Sequence, residues 1–186
     1  MKSYNDNGKL KLHLGCGKRY LPGWTHIDLV SYPHIDYLHR IDKLEIFNDD
    51  SVDDIYACHC LEHFKRHEVA DVLREWARVL KSNGWIHIAV PSFEAIIEEY
   101  LENKKIEMVM GLLYGRQDYE YNIHYHTFDF ENISLLLTNA NFDNIEIYRW
   151  EDFLPAGFDD YSRAYLPHMD FEHGRLMSLN VVAKKR

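Results

Sequence analysis

The chain has 186 residues, enough for one domain with a sizeable core, and a formal net charge of −9. That acidity argues against a duplex nucleic-acid binder, whose docking face is basic; the tight basic clusters are Lys18-Arg19 and Lys184-Lys185-Arg186. Three cysteines build no disulfide framework, and neither the polar opening MKSYNDNGK nor any apolar run has the length and hydropathy of a signal peptide or a membrane span. A reducing cytoplasm without membrane contact is the expected setting.

Residues 9–14 alternate apolar and polar as a strand does, and a second strand is predicted over 24–28, ending in Thr25-His26-Ile27-Asp28. A short strand follows near 37–39, and a fourth over 52–58 after the turn Asn48-Asp49-Asp50. Between Arg66 and Leu80 the residues Val69, Val72, Leu73, Trp76 and Leu80 recur at three- and four-residue steps, the stripe of an amphipathic helix. Ser82-Asn83-Gly84 is placed to cap that helix in the left-handed conformation, and residues 85–90 form a buried strand stopped by Pro91.

The pattern then changes. Helical signals over 94–107 and 108–113 give way to a polar, aromatic stretch over 114–126, so residues 92–130 are expected to form a helical and aromatic lid. A helix over 133–140 ends at Asn141, and strands over 145–150 and 177–184 pair antiparallel across a long aromatic loop. Alternating strand and helix signals give an α/β fold: a doubly wound seven-stranded sheet, mostly parallel, with an antiparallel last strand. Residues 1–186 form a single domain.

Gly15-Cys16-Gly17 closes the first strand with a turn that needs residues free of a Cβ, and it lets backbone N–H groups approach a ligand. Asp28, at the end of the next strand, is placed to accept from a ribose diol. Dinucleotide binding is disfavoured, because Tyr20 stands in the third glycine slot and Asp28 comes only eleven residues after Gly17, not the roughly 20 that motif needs. Gly17-Lys18-Arg19 also lacks the hydroxyl of a Walker loop. A cofactor with one nucleoside and no phosphate fits, which points to S-adenosylmethionine.

Four ordered segments resemble the class I S-adenosylmethionine-dependent methyltransferases: LHLGCGKRYLPGWTHIDL, RIDKLEIFNDDSVDDIYACHCLEHF, EVADVLREWARVLKSNGWIHIAVP and HTFDFENISLLLTNANF. The first is similar to a branch of small bacterial enzymes in which a Leu-Pro-Gly-Trp loop replaces the usual first helix. The resemblance implies a Rossmann-like fold. It sets Gly15, Cys16 and Gly17 around the methionine part of the cofactor and Asp28 on the ribose hydroxyls. It sets Asp42 on the adenine amino group, with Cys58 and His59 where the fourth strand opens over the cofactor. Ser82-Asn83-Gly84 departs from the common Pro-Gly-Gly, and Arg19 from the third glycine of longer motifs.

Cys58-His59-Cys60, with His63 and His67 nearby, invites a zinc reading, but an extended strand sends Cys58 and Cys60 to one face and His59 to the other. No metal is expected, and Glu62 and His63 are read as orienting the loop. His124 and His126 follow the irregular stretch that overhangs the methyl position. Methyl transfer is an in-line displacement needing mainly alignment, and a base only for a hydroxyl or a protonated amine. His126 is the first choice for that base, then His124, with His59 as fallback. The Tyr-, Arg- and Asp-rich stretches 113–121 and 158–168 suit a small polar acceptor. By analogy that acceptor is a sugar or sugar nucleotide of a surface polysaccharide pathway, methylated on O or N. The alternatives are a protein or tRNA methyltransferase, or a catalytically silent partner subunit that binds the cofactor. The charge weighs against tRNA.

Overall fold

A computed structural model of the protein describes residues 8–186; of the polar opening segment MKSYNDNGK read above, residues 1–7 lie outside the described residues. Lys11–Leu14 (β1), Thr25–Asp28 (β2) and Tyr37–Leu38 (β3) run parallel, and Val52–Cys58 (β4) pairs parallel to β1 on its other side. The helix Val69–Val79 (α1) crosses over to Leu80–Pro91 (β5), parallel to β4. Next come the helices Phe93–Asn103 (α2), Met110–Tyr114 (α3) and Phe130–Asn139 (α4), the strand Phe142–Ile147 (β6) and the short helix Trp150–Phe153 (α5). Tyr165–Leu166 (β7) and Arg175–Leu176 (β8) pair with each other before Ser178–Lys185 (β9).

β9 inserts antiparallel between β5 and β6, giving the order β3-β2-β1-β4-β5-β9-β6. This is the Rossmann-like seven-stranded sheet, mostly parallel, that the sequence led us to expect. Strand order reverses between β1 and β4, so their carboxyl ends open a crevice at the switch point. Among the described residues no helix is long and apolar enough to cross a membrane.

Several boundaries differ from expectation. Ser82-Asn83-Gly84 does not cap α1: Leu80 is already extended and pairs with Val52, and the register shifts before Asp54 meets Trp85. Asn83 (φ 65°) serves this bulge, not a helix end. The helix expected to reach residue 107 stops at Asn103, where Lys104 turns left-handed. β6 begins three residues earlier than expected and is bulged at Asn144 (φ 48°), and Trp150 opens α5 instead of closing the strand.

α1 buries Val69, Val72, Leu73 and Trp76 along one stripe, and the Trp76 indole N–H donates to the Ile41 carbonyl (2.7 Å). Together with Ile133 and Leu137 of α4, that stripe belongs to the main core, which takes Leu12, Leu14, Ile55, Ala57, Ile86 and Ile88 from the sheet. The alternate positions face the other way. There His26, His13, Tyr56 and His87 stand at one register level in four adjacent strands. Leu21, Trp24, Phe153, Leu154 and Phe158 pack over this row.

Residues 92–130 leave and rejoin the sheet at one point. Ser92 and Phe128 form an isolated parallel bridge, and Phe93 N–H donates to the Phe128 carbonyl. Arg175 of β8 holds Glu98, Glu99 and Glu102 of α2 at 3.3, 2.6 and 2.9 Å.

Candidate active site

The loop after β1 is shaped by two left-handed glycines. At Gly15 (φ 61°) a Cβ would stand 2.8 Å from the Cβ of Cys60, so conformation and space both demand glycine. At Gly17 (φ 54°) a Cβ would meet nothing within 4 Å, so the loop faces open space there. The Gly17 N–H donates to Asp28 Oδ2 (2.7 Å), and the Val30 N–H to Asp28 Oδ1 (2.8 Å). Each oxygen of this half-buried carboxylate therefore keeps a lone pair for a further donor. The Leu-Pro-Gly-Trp loop is held because the Leu21 N–H donates to His26 Nε2 (2.9 Å). That leaves the His26 proton on Nδ1, facing Asp36 Oδ2 at 3.3 Å.

Cys16 is buried beneath the loop, its Sγ 4.0 Å from His34 Nε2, and burial together with the Asp28 charge pushes its thiol up to about 12. Cys16 thus stays neutral. Asp42 already has a partner: Arg40 donates to its two oxygens at 2.9 and 2.5 Å.

The carboxyl end of β4 turns sharply. His59 has φ 49°, a left-handed conformation unusual for a side-chain-bearing residue and typical of functional turns. Its Nε2 lies 3.2 Å from Ser178 Oγ, its Nδ1 3.4 Å from Glu62 Oε1, and its ring 5.4 Å from that of Tyr161. Asn180 donates through Nδ2 to the Ser162 carbonyl (2.8 Å), so its Oδ1 must accept from Ser178 (2.9 Å). With its proton used, Ser178 accepts from His59 Nε2–H, and the His59 lone pair sits on Nδ1, toward Glu62. The chain of bonds continues inward: Ser162 donates to Asp160 Oδ1, and the Tyr56 hydroxyl to Asp160 Oδ2 (2.5 Å).

Glu62 lies in a 3₁₀ turn, Leu61–His63, fully buried with neither carboxylate oxygen hydrogen-bonded. Burial raises its pKa to about 8 and, with the nearby His124 and His63, lowers that of His59 to about 3. Cys58 is likewise held as a thiol by burial and by Asp160.

Of the candidate histidines, His59 and His124 meet around Glu62, whereas His126 faces elsewhere. His124 donates from Nδ1 to the Leu112 carbonyl (2.8 Å) and keeps Nε2 4.0 Å from Glu62 Oε1. His126 packs its ring on Phe128 and sets Nε2 3.3 Å from Asn132 Oδ1. Sequence reasoning passed over Asp160, Ser162, Ser178 and Asn180. Asp160 did lie in the stretch marked as aromatic and polar, but nothing local tied it to Tyr56. Arg19 links the glycine loop to this region, donating to the Asp159 carbonyl (2.5 Å) with its guanidinium 5.8 Å from the Tyr161 ring. An apolar groove of about 180 Å³, lined by Phe93, Ile96, Tyr100, Leu101 and Ile106, belongs to residues 92–130 and not to this crevice.

Residues 29–88, from the end of β2 into β5, match the methyltransferase-domain family. An S-adenosylmethionine-dependent methyltransferase from Methanosarcina mazei is 16% identical with a TM-score of 0.57; the match covers 99% of this chain and 94% of that one. One from Archaeoglobus fulgidus is 15% identical, TM-score 0.57, covering 98% and 88%. The 1,6-didemethyltoxoflavin-N1-methyltransferase of Burkholderia thailandensis, solved with bound 1,6-didemethyltoxoflavin and S-adenosylhomocysteine, is 15% identical, TM-score 0.55, covering 96% and 72%. No curated protein sequence matches the chain. Over residues 29–88 the chain thus matches a methyltransferase domain, and its seven-stranded sheet is the fold of the solved S-adenosylmethionine-dependent methyltransferases it resembles.

Proposed function

We propose that the chain binds S-adenosylmethionine at the carboxyl ends of β1, β2 and β4 and methylates a small polar acceptor, a sugar or sugar nucleotide of a surface polysaccharide pathway. The observation that carries this reading is the join between Gly17 and Asp28. It sets a carboxylate with free lone pairs beside a loop that opens onto empty space. A ribose diol suits those lone pairs, since both hydroxyls can donate to one charged group. Gly15, Cys16 and Gly17 would flank the methionine part, with the neutral Cys16 thiol adding no charge of its own. Asp42, held by Arg40, would meet the adenine amino group, and Cys58 and His59 would border the methyl position.

The cofactor supplies an electrophilic methyl group on a sulfonium; the protein's part is to align an acceptor and exclude water. Residues 92–130 would serve as the lid. His59, neutral and bonded at Nε2, suits hydrogen bonding more than proton abstraction. His126, which stands clear of Glu62, is the proposed base for a hydroxyl acceptor.

The test is single-turnover transfer of labelled methyl to a panel of sugars and nucleotide sugars, with a protein and a tRNA fraction as competing acceptors. Label should enter a small molecule, and His126→Ala should slow transfer by ~10²–10⁴-fold with cofactor binding intact. Near-normal rates in His59→Ala, His124→Ala and His126→Ala would leave alignment as the whole of catalysis. Label in a macromolecular fraction, or cofactor binding without transfer to anything, would overturn the small-acceptor reading.

A further inference from the structure

A buried carboxylate without hydrogen bonds is costly, and native interiors rarely keep one without a reason. Glu62 is such a group: fully buried, with both oxygens unpartnered. What surrounds it is a set of imidazole lone pairs. His63 donates from Nδ1 to the Ile123 carbonyl (3.0 Å) and His124 from Nδ1 to the Leu112 carbonyl (2.8 Å). A carbonyl only accepts, so both rings carry their proton on Nδ1 and their lone pair on Nε2. Ligating histidines are oriented in this way by an outer-shell carbonyl. His59, by the Ser178–Asn180 bonds described above, turns a third lone pair toward Glu62 Oε1.

The three groups Glu62, His63 and His124 each bring a ligand atom to within 4.8 Å of the others, and the two imidazole rings are 4.8 Å apart, edge to face. The backbone fixes this meeting, because Tyr125 N–H donates to the Glu62 carbonyl (2.8 Å) and His124 N–H to that of Tyr114. We propose that Glu62, His63 and His124 form a divalent-metal site of the zinc type, with His59 Nδ1 as the neighbouring fourth donor. One carboxylate with imidazoles is a borderline nitrogen and oxygen set that suits Zn²⁺. Zn–N bonds of ~2.0–2.1 Å put tetrahedral ligand atoms about 3.4 Å apart, so closing the site takes side-chain shifts of about an ångström.

The expectation of no metal rested on Cys58-His59-Cys60 with His63 and His67 nearby, and the two cysteines are engaged elsewhere. Cys60 donates its thiol to the Leu14 carbonyl, and Cys58 packs with Leu21, Tyr56 and Leu154. Glu62 and His124, which that reading left aside, supply the site instead. The proposal does not depend on methyl transfer, and its test reads metal alone.

Full-length protein stripped of metal is titrated with Zn²⁺ by calorimetry and with Co²⁺ by visible absorption. One ion should bind per chain with a Kd of ~1 μM or tighter, and Co²⁺ should give a four- or five-coordinate spectrum without a thiolate charge-transfer band. Glu62→Gln and His124→Ala should each weaken binding at least about tenfold, the lower bound even for an outer-shell partner. His67→Ala, an exposed histidine outside the cluster, should bind as the parent does. No stoichiometric ion in the parent, a thiolate band, or unchanged affinity in His124→Ala would overturn the proposal. The parent's Co²⁺ spectrum decides it even if Glu62→Gln fails to fold.

Discussion

On one face of the sheet Leu12, Ile55 and Ile86 lie side by side beneath α1. On the other, one register step along, His13, Tyr56 and His87 occupy the same three strands. Both layers are buried, but by different chemistry. The aliphatic face needs only shape and area. The histidine and tyrosine face carries polar atoms: Tyr56 is satisfied through a chain running through Asp160, Ser162, Asn180 and Ser178 to His59 at the crevice, whereas His13 Nδ1 and His87 Nδ1 are buried without a hydrogen bond. Stability is thus concentrated on one side, while the other side, costlier to bury, reaches the site.

The largest break is on the aliphatic side. Trp76→Ala removes a fully buried ring and the donor to Ile41, and should cost about 3–5 kcal/mol in urea unfolding. On the other face, Tyr56→Phe keeps the ring but strips Asp160 of its buried hydroxyl donor. That should cost about 1–3 kcal/mol and leave the aliphatic core unchanged.

The smallest effect at neutral pH sharpens the contrast most. Burial holds His13 neutral down to about 3 and His87 down to about 4, against 6.5 when unfolded. Between those values the unfolded chain binds protons that the folded chain refuses, so the stability resting on these two rings falls as pH drops below 6.5 and is complete above it, while the buried Glu62, raised to about 8, works in the opposite direction. Unfolding curves from pH 7.5 to 4.5 should show this slope, and His87→Phe should make it shallower without changing stability at pH 7.5 by much. An identical slope in the variant would remove the polar face from the acid response.

The aliphatic face was legible in the sequence because periods of two and 3.6 are what burial against water imposes on strands and helices. The glycine loop and Asp28 were legible because their conformations and charge are local requirements. The other face was not, since a histidine in a strand carries no mark of whether it points in or out. The role of Asn83 was missed for a related reason: a helix cap and a strand bulge ask for the same left-handed residue. The meeting of Glu62, His63 and His124 needed the whole 92–130 segment to fold back, which no spacing rule encodes.

Titration calorimetry of S-adenosylhomocysteine into the parent and Asp28→Ala tests the cofactor assignment directly, with circular dichroism confirming that both are folded. A Kd near ~1 μM, about −8 kcal/mol, is expected for the parent. Loss of a charged acceptor, worth about 1.5–3 kcal/mol, should weaken the variant at least about tenfold. No heat with the parent, or equal binding by Asp28→Ala, would contradict the account.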